Sequence, residues 1–278
     1  MKASALPRNP LKRLAQLWGV ELEGNVIESP TGRVCFGRRG DSCVVVKVLN
    51  SDNDEFNSLA ALRHFDGNGA VRVVDHAEGA MLLERIVPGT PLTDLVLAGR
   101  DDEATAALCD VIAALHRAAP PAQGFPLVED WGAELALYQT SGDATIPPAM
   151  VDRAISLFTE LAASQGPRRL LHGDLHHDNI LYDERRGWVA IDPKGVVGEA
   201  CYEVGSALRN PTSDPARFAV ASIIERRIEI VAQRLGFDCG RTLAWACAQA
   251  VLSAVWSIAD GQDPTRGLAS ARVMMTML

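Results

Sequence analysis

Short apolar runs separated by turn residues occupy the first third of the chain. Runs of this length, bounded by Gly, Pro and Asp, are typical of β-strands; they lie at residues 20–27, 34–37, 42–49, 71–76 and 80–86. After the third run, Asp52 or Asp54 is placed to cap a helix that continues to about residue 64 with its apolar residues on one side. This part of the chain is therefore predicted to form a small sheet carrying one helix.

The pattern changes at residues 87–89, Val-Pro-Gly. Beyond them, apolar residues recur at three- and four-residue spacing, which is typical of amphipathic helices. The predicted helices are 101–118, 129–140, 148–163, 214–235, 241–260 and 264–277, and a hairpin made of residues 179–183 and 188–191 interrupts them. We therefore expect an α+β fold with a small β-rich lobe at residues 1–87, a hinge at about 84–90, and a larger, mostly helical lobe at 91–278.

The composition limits the possible functions. With 47% hydrophobic and 22% charged residues among 278, the chain is typical of a globular protein long enough for two modest domains. Its formal net charge of −8 disfavours nonspecific binding of nucleic acid and suits a cationic ligand. The six cysteines contain no C-x-x-C pair, which argues against a structural zinc site.

Two further features concern the cellular location. No apolar run approaches the roughly 18 residues that a membrane span needs, and the first residues contain no apolar stretch typical of a secretory signal. We therefore expect a cytoplasmic protein, a monomer or weak dimer, without membrane or nucleic-acid partners.

A polar segment between two apolar pairs carries the candidate chemistry. It reads His-Gly-Asp-Leu-His-His-Asp-Asn at residues 172–179, so that Asp174 and Asn179 stand five positions apart, as in the catalytic loop of kinases. Asp192 closes the second strand of the predicted hairpin. Phosphoryl transfer from a nucleoside triphosphate needs Mg²⁺ bound by hard oxygen ligands, which Asn179 and Asp192 can supply. It also needs a carboxylate that accepts the proton of the attacking hydroxyl, and Asp174 fits that role.

Two other interpretations of this segment remain open. Asp and Asn are common around hairpins because their side chains bond to the nearby backbone, so these polar residues could be ordinary turn residues. His172, His176 and His177 could instead bind zinc, although Gly173 and the following loop do not fit the helix that would bring the histidines together. The aspartate at the end of the next strand favours the kinase interpretation over both.

The segment 172–179 resembles the H-G-D-x-H-x-x-N loop of the aminoglycoside phosphotransferase and choline-kinase superfamily. Residues 187–199, Gly-Trp-Val-Ala-Ile-Asp-Pro-Lys-Gly-Val-Val-Gly-Glu, are similar to the branch that contains streptomycin 6-phosphotransferases and hydroxyurea phosphotransferases, as are residues 252–256 and Asp260-Gly261. The resemblance implies a bilobal protein-kinase-like fold. It also implies an antibiotic-resistance enzyme that uses ATP and Mg²⁺ to phosphorylate a hydroxyl group of streptomycin or hydroxyurea.

The same resemblance assigns nucleotide-binding residues in the first lobe. Lys47 lies inside an apolar run, where burial of an unpaired ammonium group is costly, so it either reaches solvent at a sheet edge or binds an anion. In a kinase the anions are the α- and β-phosphates and a helix carboxylate, for which Glu55 is the expected partner and Asp54 a near competitor. The backbone of Glu84 and Ile86 would bind the adenine edge. The first hairpin lacks a glycine-rich phosphate-binding motif.

Acidic residues in the second lobe are candidates for binding a cationic acceptor. Glu199, Asp260 and Asp263 could hold guanidine groups, or they could be solvated helix ends. Members of the superfamily usually carry an aspartate where Glu203 stands. This residue either supports the catalytic loop from a following helix or lies on the surface.

Two other functions remain compatible with the sequence. One is a metabolic kinase of a sugar or amino alcohol with the same fold. The other is a regulatory pseudokinase that binds nucleotide without turnover. The complete set of predicted nucleotide, metal and catalytic residues argues against the pseudokinase, because a scaffold does not need all of them.

Overall fold

The computed structural model of the protein describes residues 10–29, 32–49, 54–77, 79–121 and 123–278. The helices in these ranges are α1 (Pro10–Trp18), α2 (Asp54–Phe65), α3 (Thr93–Leu97), α4 (Asp101–Leu115), α5 (Val128–Thr140), α6 (Pro148–Ala163), α7 (Gly205–Arg209), α8 (Pro215–Phe218), α9 (Ala221–Leu235), α10 (Cys239–Ala259) and α11 (Thr265–Met277). The strands are β1 (Glu21–Ser29), β2 (Gly32–Arg39), β3 (Ser42–Leu49), β4 (Val73–Ala77), β5 (Ala80–Glu84), β6 (Pro88–Pro91), β7 (Arg168–Leu171), β8 (Ile180–Asp183), β9 (Gly187–Ala190) and β10 (Val196–Glu199). The predicted small sheet, its helix α2 and the larger helical part are present, but the prediction of a single helix in the first part is wrong, because α1 also belongs to it. The predicted caps of α2 lie outside this description, since residue 52 and the side chain of residue 54 do not belong to it.

An antiparallel sheet of order β1-β2-β3-β5-β4 forms the first part of the chain. Side chains alternate between its two faces because successive residues of a strand point to opposite sides. In β3, Val44, Val46 and Val48 are buried on one face, whereas Val45 and Lys47 line the cleft on the other. The alternation that makes β3 a strand therefore carries Lys47 toward the second part of the chain.

Helix α1 covers the outer face of this sheet. Leu11, Leu14, Ala15 and Trp18 lie on one side of the helix and are buried together with the valines of β3. Burying a side chain of leucine size contributes about 1.5–3 kcal/mol. No helix is predicted above for this segment, although its three- and four-residue spacing is a helix signal.

The two parts of the chain are attached at a second point besides the connecting segment after β5. Ala190 of β9 accepts a hydrogen bond from the N–H of Val71 (2.9 Å) and donates one to the carbonyl of Gly69 (2.7 Å). Arg186, in the turn between β8 and β9, forms an ion pair with Glu84 at the end of β5 and also donates to carbonyl groups of the 67–70 loop. Backbone and side-chain contacts thus fasten β9 to the first part of the chain.

Helix α10 forms the centre of the helical part, where it contacts α5, α6, α7 and α11. The prediction that no apolar run approaches the length of a membrane span is wrong, because α10 is long and apolar enough to cross one by length and composition. Most of this helix is buried inside the fold, however, as expected for the core helix of a globular protein.

Most long helices begin and end within a few residues of their predicted limits, but the shorter elements were missed. The predicted helix 214–235 is two helices, α8 and α9, interrupted at residues 219–220. Strands β7 and β10 were not predicted, and they pair antiparallel, while β6 joins the predicted β8–β9 hairpin. These two small sheets matter for the site, because the polar segment 172–179 connects β7 of one to β8 of the other.

Candidate active site

His172 fixes the shape of the loop that follows β7. Its side chain is fully buried, with Nε2 positioned 2.8 Å from the carbonyl oxygen of Ile191 and Nδ1 accepting a hydrogen bond from the N–H of Asp174 (3.3 Å). Both ring nitrogens thus contact backbone groups, so His172 is not available to bind zinc together with His176 and His177. Among the residues that the structure describes, no group of three or more His, Cys, Asp or Glu side chains is arranged to hold a metal ion.

Glu203 supports this loop from the segment after β10. Its fully buried carboxylate accepts hydrogen bonds from the N–H groups of His172 (2.7 Å) and Gly173 (3.0 Å). His116 lies behind it, with Nε2 at 3.7 Å from the same carboxylate. The alternative that Glu203 lies on the surface is therefore wrong. Glutamate reaches the loop with one methylene more than the aspartate that the resemblance suggested.

Asp174 is held at one of its two carboxylate oxygens. Ser206 donates a hydrogen bond to Oδ1 (2.7 Å), and Arg209 lies 3.5 Å from the same oxygen while its other nitrogen donates to Gln249. The second oxygen, Oδ2, lies 3.8 Å from Nε2 of His176. One oxygen is therefore anchored to α7, and the other accepts no hydrogen bond from the residues that the structure describes.

The surroundings of Asp174 keep it ionised. Burial alone would raise the pKa of its carboxyl group, but His176, Arg209 and the hydrogen bond from Ser206 favour the charged form and bring the pKa below its ordinary value. Burial also lowers the pKa of His176, although the nearby Asp174 acts in the opposite direction. At neutral pH an ionised Asp174 therefore stands beside a neutral His176, and such a carboxylate can accept a proton.

Asn179 and Asp192 are brought together by the pairing of β8 with β9. The N–H of Ile191 donates to the carbonyl of Asn179 (2.9 Å), which places Asp192 directly beside the end of the loop. The side-chain amide nitrogen of Asn179 donates to the carbonyl of Asp174 (2.9 Å), so its Oδ1 is left as an acceptor. An amide oxygen and a carboxylate are hard ligands of the kind that Mg²⁺ prefers, so the residue types at this end of the loop fit this ion.

Lys47 contacts Asp192 across the cleft. The two side chains form an ion pair in which the ammonium group is almost fully buried. Lys47 thus points to the cleft rather than to solvent at a sheet edge. The side chain of Glu55, its predicted partner, lies outside the described residues. Asp192 adopts a left-handed backbone conformation (φ +60°), which is unfavourable for a residue with a Cβ and is often found at functional sites.

A cavity of about 270 Å³ lies above this pair, between the sheet and the helical part. Apolar side chains such as Phe36 and Leu83 line it together with Lys47. The N–H of Glu84 is not free to bind an adenine ring, because it donates to the carbonyl of Arg72 within the sheet (3.0 Å). The N–H of Ile86 makes no hydrogen bond within the described ranges, so it is the better candidate at this edge of the cavity.

Two further cavities are lined by Asp174, which does not border the first. One has a volume of about 550 Å³ and is lined by Asp260, and the other has about 470 Å³ and is lined by Asp263 and Arg266. Both also include Arg209. Of the three acids predicted to bind an acceptor, Asp260 and Asp263 are therefore placed near the loop.

Glu199 is the third of these acids, and it has a structural role. Both of its carboxylate oxygens accept hydrogen bonds from Arg241 (2.8 and 2.6 Å), and one also accepts from the indole N–H of Trp245 (2.9 Å). It borders neither of the cavities at Asp174. The prediction of Glu199 as an acceptor-binding residue is corrected accordingly: it ties β10 to α10.

The larger cavity contains residues that sequence reasoning missed. Trp131 and Glu134 of α5 face Trp256 of α10: the two indole rings meet edge to face at 5.4 Å, and Trp256 donates to the carboxylate of Glu134 (2.6 Å). The only local signal is the three-residue spacing of Trp131 and Glu134, which places both on one side of a helix. Their meeting with Trp256 depends on how α5 packs against α10.

Comparison with solved structures places this architecture among kinases. A thermostable mutant of aminoglycoside phosphotransferase APH(4)-Ia, in a ternary complex with AMP-PNP and hygromycin B, superposes with a TM-score of 0.69 over 95% of this chain and 97% of that chain, at 19% identity. The choline kinase LicA from Streptococcus pneumoniae gives a TM-score of 0.67 over the same shares, at 12% identity. These likenesses confirm the predicted bilobal kinase-like fold.

Comparison with known sequences shows to which kinase family the chain belongs. A streptomycin 3''-kinase of Klebsiella pneumoniae is 37% identical over 88% of this chain and 91% of its own length, and a streptomycin 6-kinase of Streptomyces griseus is 30% identical over 90% and 82%. A hydroxyurea phosphotransferase of Kitasatospora aureofaciens is 31% identical over 93% and 76%. The family model described as aminoglycoside/hydroxyurea antibiotic resistance kinase matches residues 18–261. The chain belongs to this family.

The resemblance proposed from the sequence is thereby confirmed, and this antibiotic resistance kinase is a phosphotransferase that acts on a hydroxyl group. Two features distinguish its site from the expectation. Glu203 takes the place expected for aspartate and keeps both backbone contacts to the loop. In addition, the wall of the kinase's larger cavity combines indole rings with the carboxylate of Glu134.

Proposed function

We propose that this kinase transfers the γ-phosphoryl group of ATP to a hydroxyl group of streptomycin, with Asp174 as the catalytic base. The position of Asp174 carries the proposal: its carboxylate borders the two large cavities, and the loop that holds it also holds Asn179 beside Asp192. The 37% identity to a streptomycin 3''-kinase, against 30% to a streptomycin 6-kinase, favours the 3''-hydroxyl over the 6-type enzyme expected above. We propose that the enzyme acts in the cytoplasm, where ATP is available.

The nucleotide would bind in the cleft at the junction of the lobes, which we place at residues 84–90. Ile86 would bind the adenine edge through its N–H group, and Lys47 would contact the α- and β-phosphates. Asn179 and Asp192 would hold Mg²⁺, which neutralises charge on the phosphate oxygens. Lys47 lies beside Asp192, so Lys47 and the Mg²⁺ held by Asp192 can bind the same triphosphate.

The chemical step is an in-line transfer between two oxygens. The acceptor hydroxyl forms a bond to the γ-phosphorus while the bond from phosphorus to the bridging oxygen of ADP breaks, and the hydroxyl proton passes to Oδ2 of Asp174. Ser206 and Arg209 hold Oδ1, which fixes the direction of the accepting oxygen. Because the transition state is loose, positioning and charge neutralisation contribute most of the acceleration.

The cavities suit a large cationic acceptor better than hydroxyurea. Volumes of about 550 and 470 Å³ lie in the range of drug-sized ligands, whereas hydroxyurea is a neutral molecule of a few atoms that would leave most of this space to water. Streptomycin carries guanidinium groups. Such a group can stack on an indole ring and pair with a carboxylate, and Trp256 and Glu134 offer both in one place, with Asp260 on the same cavity.

The test is a measurement of Mg²⁺-dependent ADP release with streptomycin, hydroxyurea, other aminoglycosides, choline and simple sugars. We expect turnover with streptomycin and a product phosphorylated at the 3''-hydroxyl by NMR. The variant Asp174→Asn should lose turnover and keep ATP binding in calorimetry, whereas the exposed matched variant Asp94→Asn should retain both. Turnover of a sugar or of choline alone would replace the proposal with a metabolic kinase, and ATP binding without any turnover would favour the pseudokinase.

The acceptor residues are tested separately. Glu134→Gln and Asp260→Asn each remove one carboxylate charge, and a charge-assisted hydrogen bond contributes about 1.5–3 kcal/mol. We therefore expect the KM for streptomycin to rise about 10- to 100-fold while the KM for ATP stays unchanged. Glu160→Gln, on the exposed side of α6, is the matched control. An unchanged KM for streptomycin in both variants would contradict this assignment.

A further inference from the structure

Lys194 is a lysine at the edge of the larger cavity, two residues after Asp192. The chain has 27 basic residues, of which only Lys2, Lys12, Lys47 and Lys194 are lysines. Lys194 is half-buried and lines the cavity that Asp174 borders. Within the described part of the chain, no carboxylate lies at ion-pair distance from its ammonium group and no hydrogen bond engages it. Partial burial of a cation costs free energy unless an anion pairs with it.

The backbone holds Lys194 in a fixed relation to the catalytic loop. The N–H groups of Lys194 and Gly195 both donate to the carbonyl of His172, at 2.7 and 3.1 Å. A Cβ added at Gly173 would lie 3.4 Å from the Cβ of Lys194, so the two segments touch next to Asp174. Gly195 itself has a left-handed conformation (φ +73°) close to α2. Any movement of Lys194 relative to Asp174 would therefore disturb several backbone contacts.

The charges around the cavity indicate what Lys194 would bind. Acidic groups lie along one wall, where Glu134 is held by Trp256 and Asp260 borders the same space. Lys194 lies against the loop that carries Asp174, and the carboxylate of Asp174 already has Arg209 as a charged partner. A cationic acceptor would pair its guanidinium groups with Glu134 and Asp260, and repulsion between like charges would keep those groups from the ammonium group of Lys194. The ligand that suits the Lys194 end of the cavity is therefore an anion.

We propose that Lys194 contacts the phosphoryl group during its transfer and stabilises the negative charge on its oxygens. This inference rests on the proposed function, in which the transferred group is the anion that reaches Asp174. Lys194 keeps its proton throughout, since the hydroxyl proton goes to Asp174 and the electron pair of the broken bond goes to ADP. Lys47 acts on the α- and β-phosphates from the sheet, and Lys194 acts on the γ-phosphoryl group from the acceptor side.

The decisive variants are Lys194→Met, which removes the ammonium group while keeping a long side chain, and Lys194→Arg, which keeps the charge. Loss of one group that stabilises a transition state costs about 100- to 1000-fold in kcat. We expect that loss in Lys194→Met with little change in the KM for streptomycin, and recovery of at least tenfold in Lys194→Arg. Arg185→Met, in the exposed turn before β9, removes the same charge and should keep wild-type kcat.

Calorimetry gives a readout that does not depend on turnover. With Mg²⁺ present, Lys194→Met should bind ADP like the wild type but should lose at least tenfold in affinity for ADP with aluminium fluoride, which imitates the transferred phosphoryl group. Equal affinities of the wild type and Lys194→Met for that complex would overturn the proposal, and so would a kcat within threefold of the wild type. If the wild type phosphorylates none of the tested acceptors, the proposed function fails, but the fluoride-complex comparison still decides the role of Lys194. If Lys194→Met does not fold, Lys194→Gln replaces it in the same comparison, because glutamine also removes the ammonium group, and equal affinities for the fluoride complex would again overturn the proposal.

Discussion

Replacement of Glu203 by glutamine should both destabilise the protein and slow the reaction. The carboxylate of Glu203 accepts hydrogen bonds from the N–H groups of His172 and Gly173, and it is fully buried. A glutamine amide keeps one acceptor oxygen but turns an NH₂ group toward the second N–H. One charge-assisted bond is lost, which costs about 1.5–3 kcal/mol, and a buried donor is left unpaired at a cost of about 1–3 kcal/mol.

The resulting destabilisation of about 2.5–6 kcal/mol should lower the melting temperature by about 5–24 °C for a chain of this size. The loop that shifts is the one that carries Asp174, and a displacement of about 1 Å can reduce catalysis about 100-fold. Thermal unfolding and ADP release with streptomycin measure the two effects. Glu225→Gln, an exposed substitution of the same type on α9, serves as the control. If Glu203→Gln has the same melting temperature as the control variant and keeps wild-type kcat, the two backbone contacts do not hold the loop and the reasoning is refuted.

Two further predictions concern the helical part. Arg227 is buried and donates two hydrogen bonds to Asp101 (3.0 and 2.6 Å), so Arg227→Met should lower the free energy of unfolding in urea by about 3–5 kcal/mol. Replacement of both residues together should cost less, and a loss below about 1 kcal/mol in the single variant would contradict this prediction. Burial raises the pKa of the Cys109 and Cys201 thiols to about 12, so neither is ionised at pH 8, whereas Cys239 is exposed. Thiol labelling of the folded protein should therefore modify Cys239 and spare the other two, and rapid labelling of Cys109 would show that its environment opens.

Local periodicity was sufficient to predict most of the secondary structure. The apolar run of β3 and the three- and four-residue spacing in α4, α6 and α10 depend only on neighbouring residues, so they could be recognised in the sequence. The short strands β7 and β10 depend on each other for hydrogen bonds across more than twenty residues of intervening chain, and neither is long enough to show a pattern. The break between α8 and α9 likewise shows no pattern in the sequence, because neither proline nor glycine occurs at residues 219–220.

In the candidate site, too, contacts between near neighbours in the sequence could be predicted and contacts between distant residues could not. Asp174 and Asn179 lie within one loop, and their five-residue spacing alone was enough to predict them as candidates. The partner of Lys47 could not be predicted, because Asp192 is 145 positions away, and the contact between Trp256 and Glu134 spans 122 positions. Glu199 was assigned to the acceptor because nothing in the sequence indicates that Arg241, 42 positions later, occupies its carboxylate.

The second attachment between the lobes determines how the cleft can open. We expect the sheet to rotate, if the Lys47–Asp192 ion pair opens, about a line through the connecting segment after Glu84 and the bonds from Ala190 to the 69–71 loop. Asp192 follows Ala190 by two residues, so it has a short lever arm of at most about 7 Å. Strand β1 lies four strands from β4, about 19 Å away, so a rotation of a few degrees displaces β1 most. We therefore expect nucleotide to enter and leave by movement of the outer strands, while Asn179 and Asp192 keep their positions relative to each other.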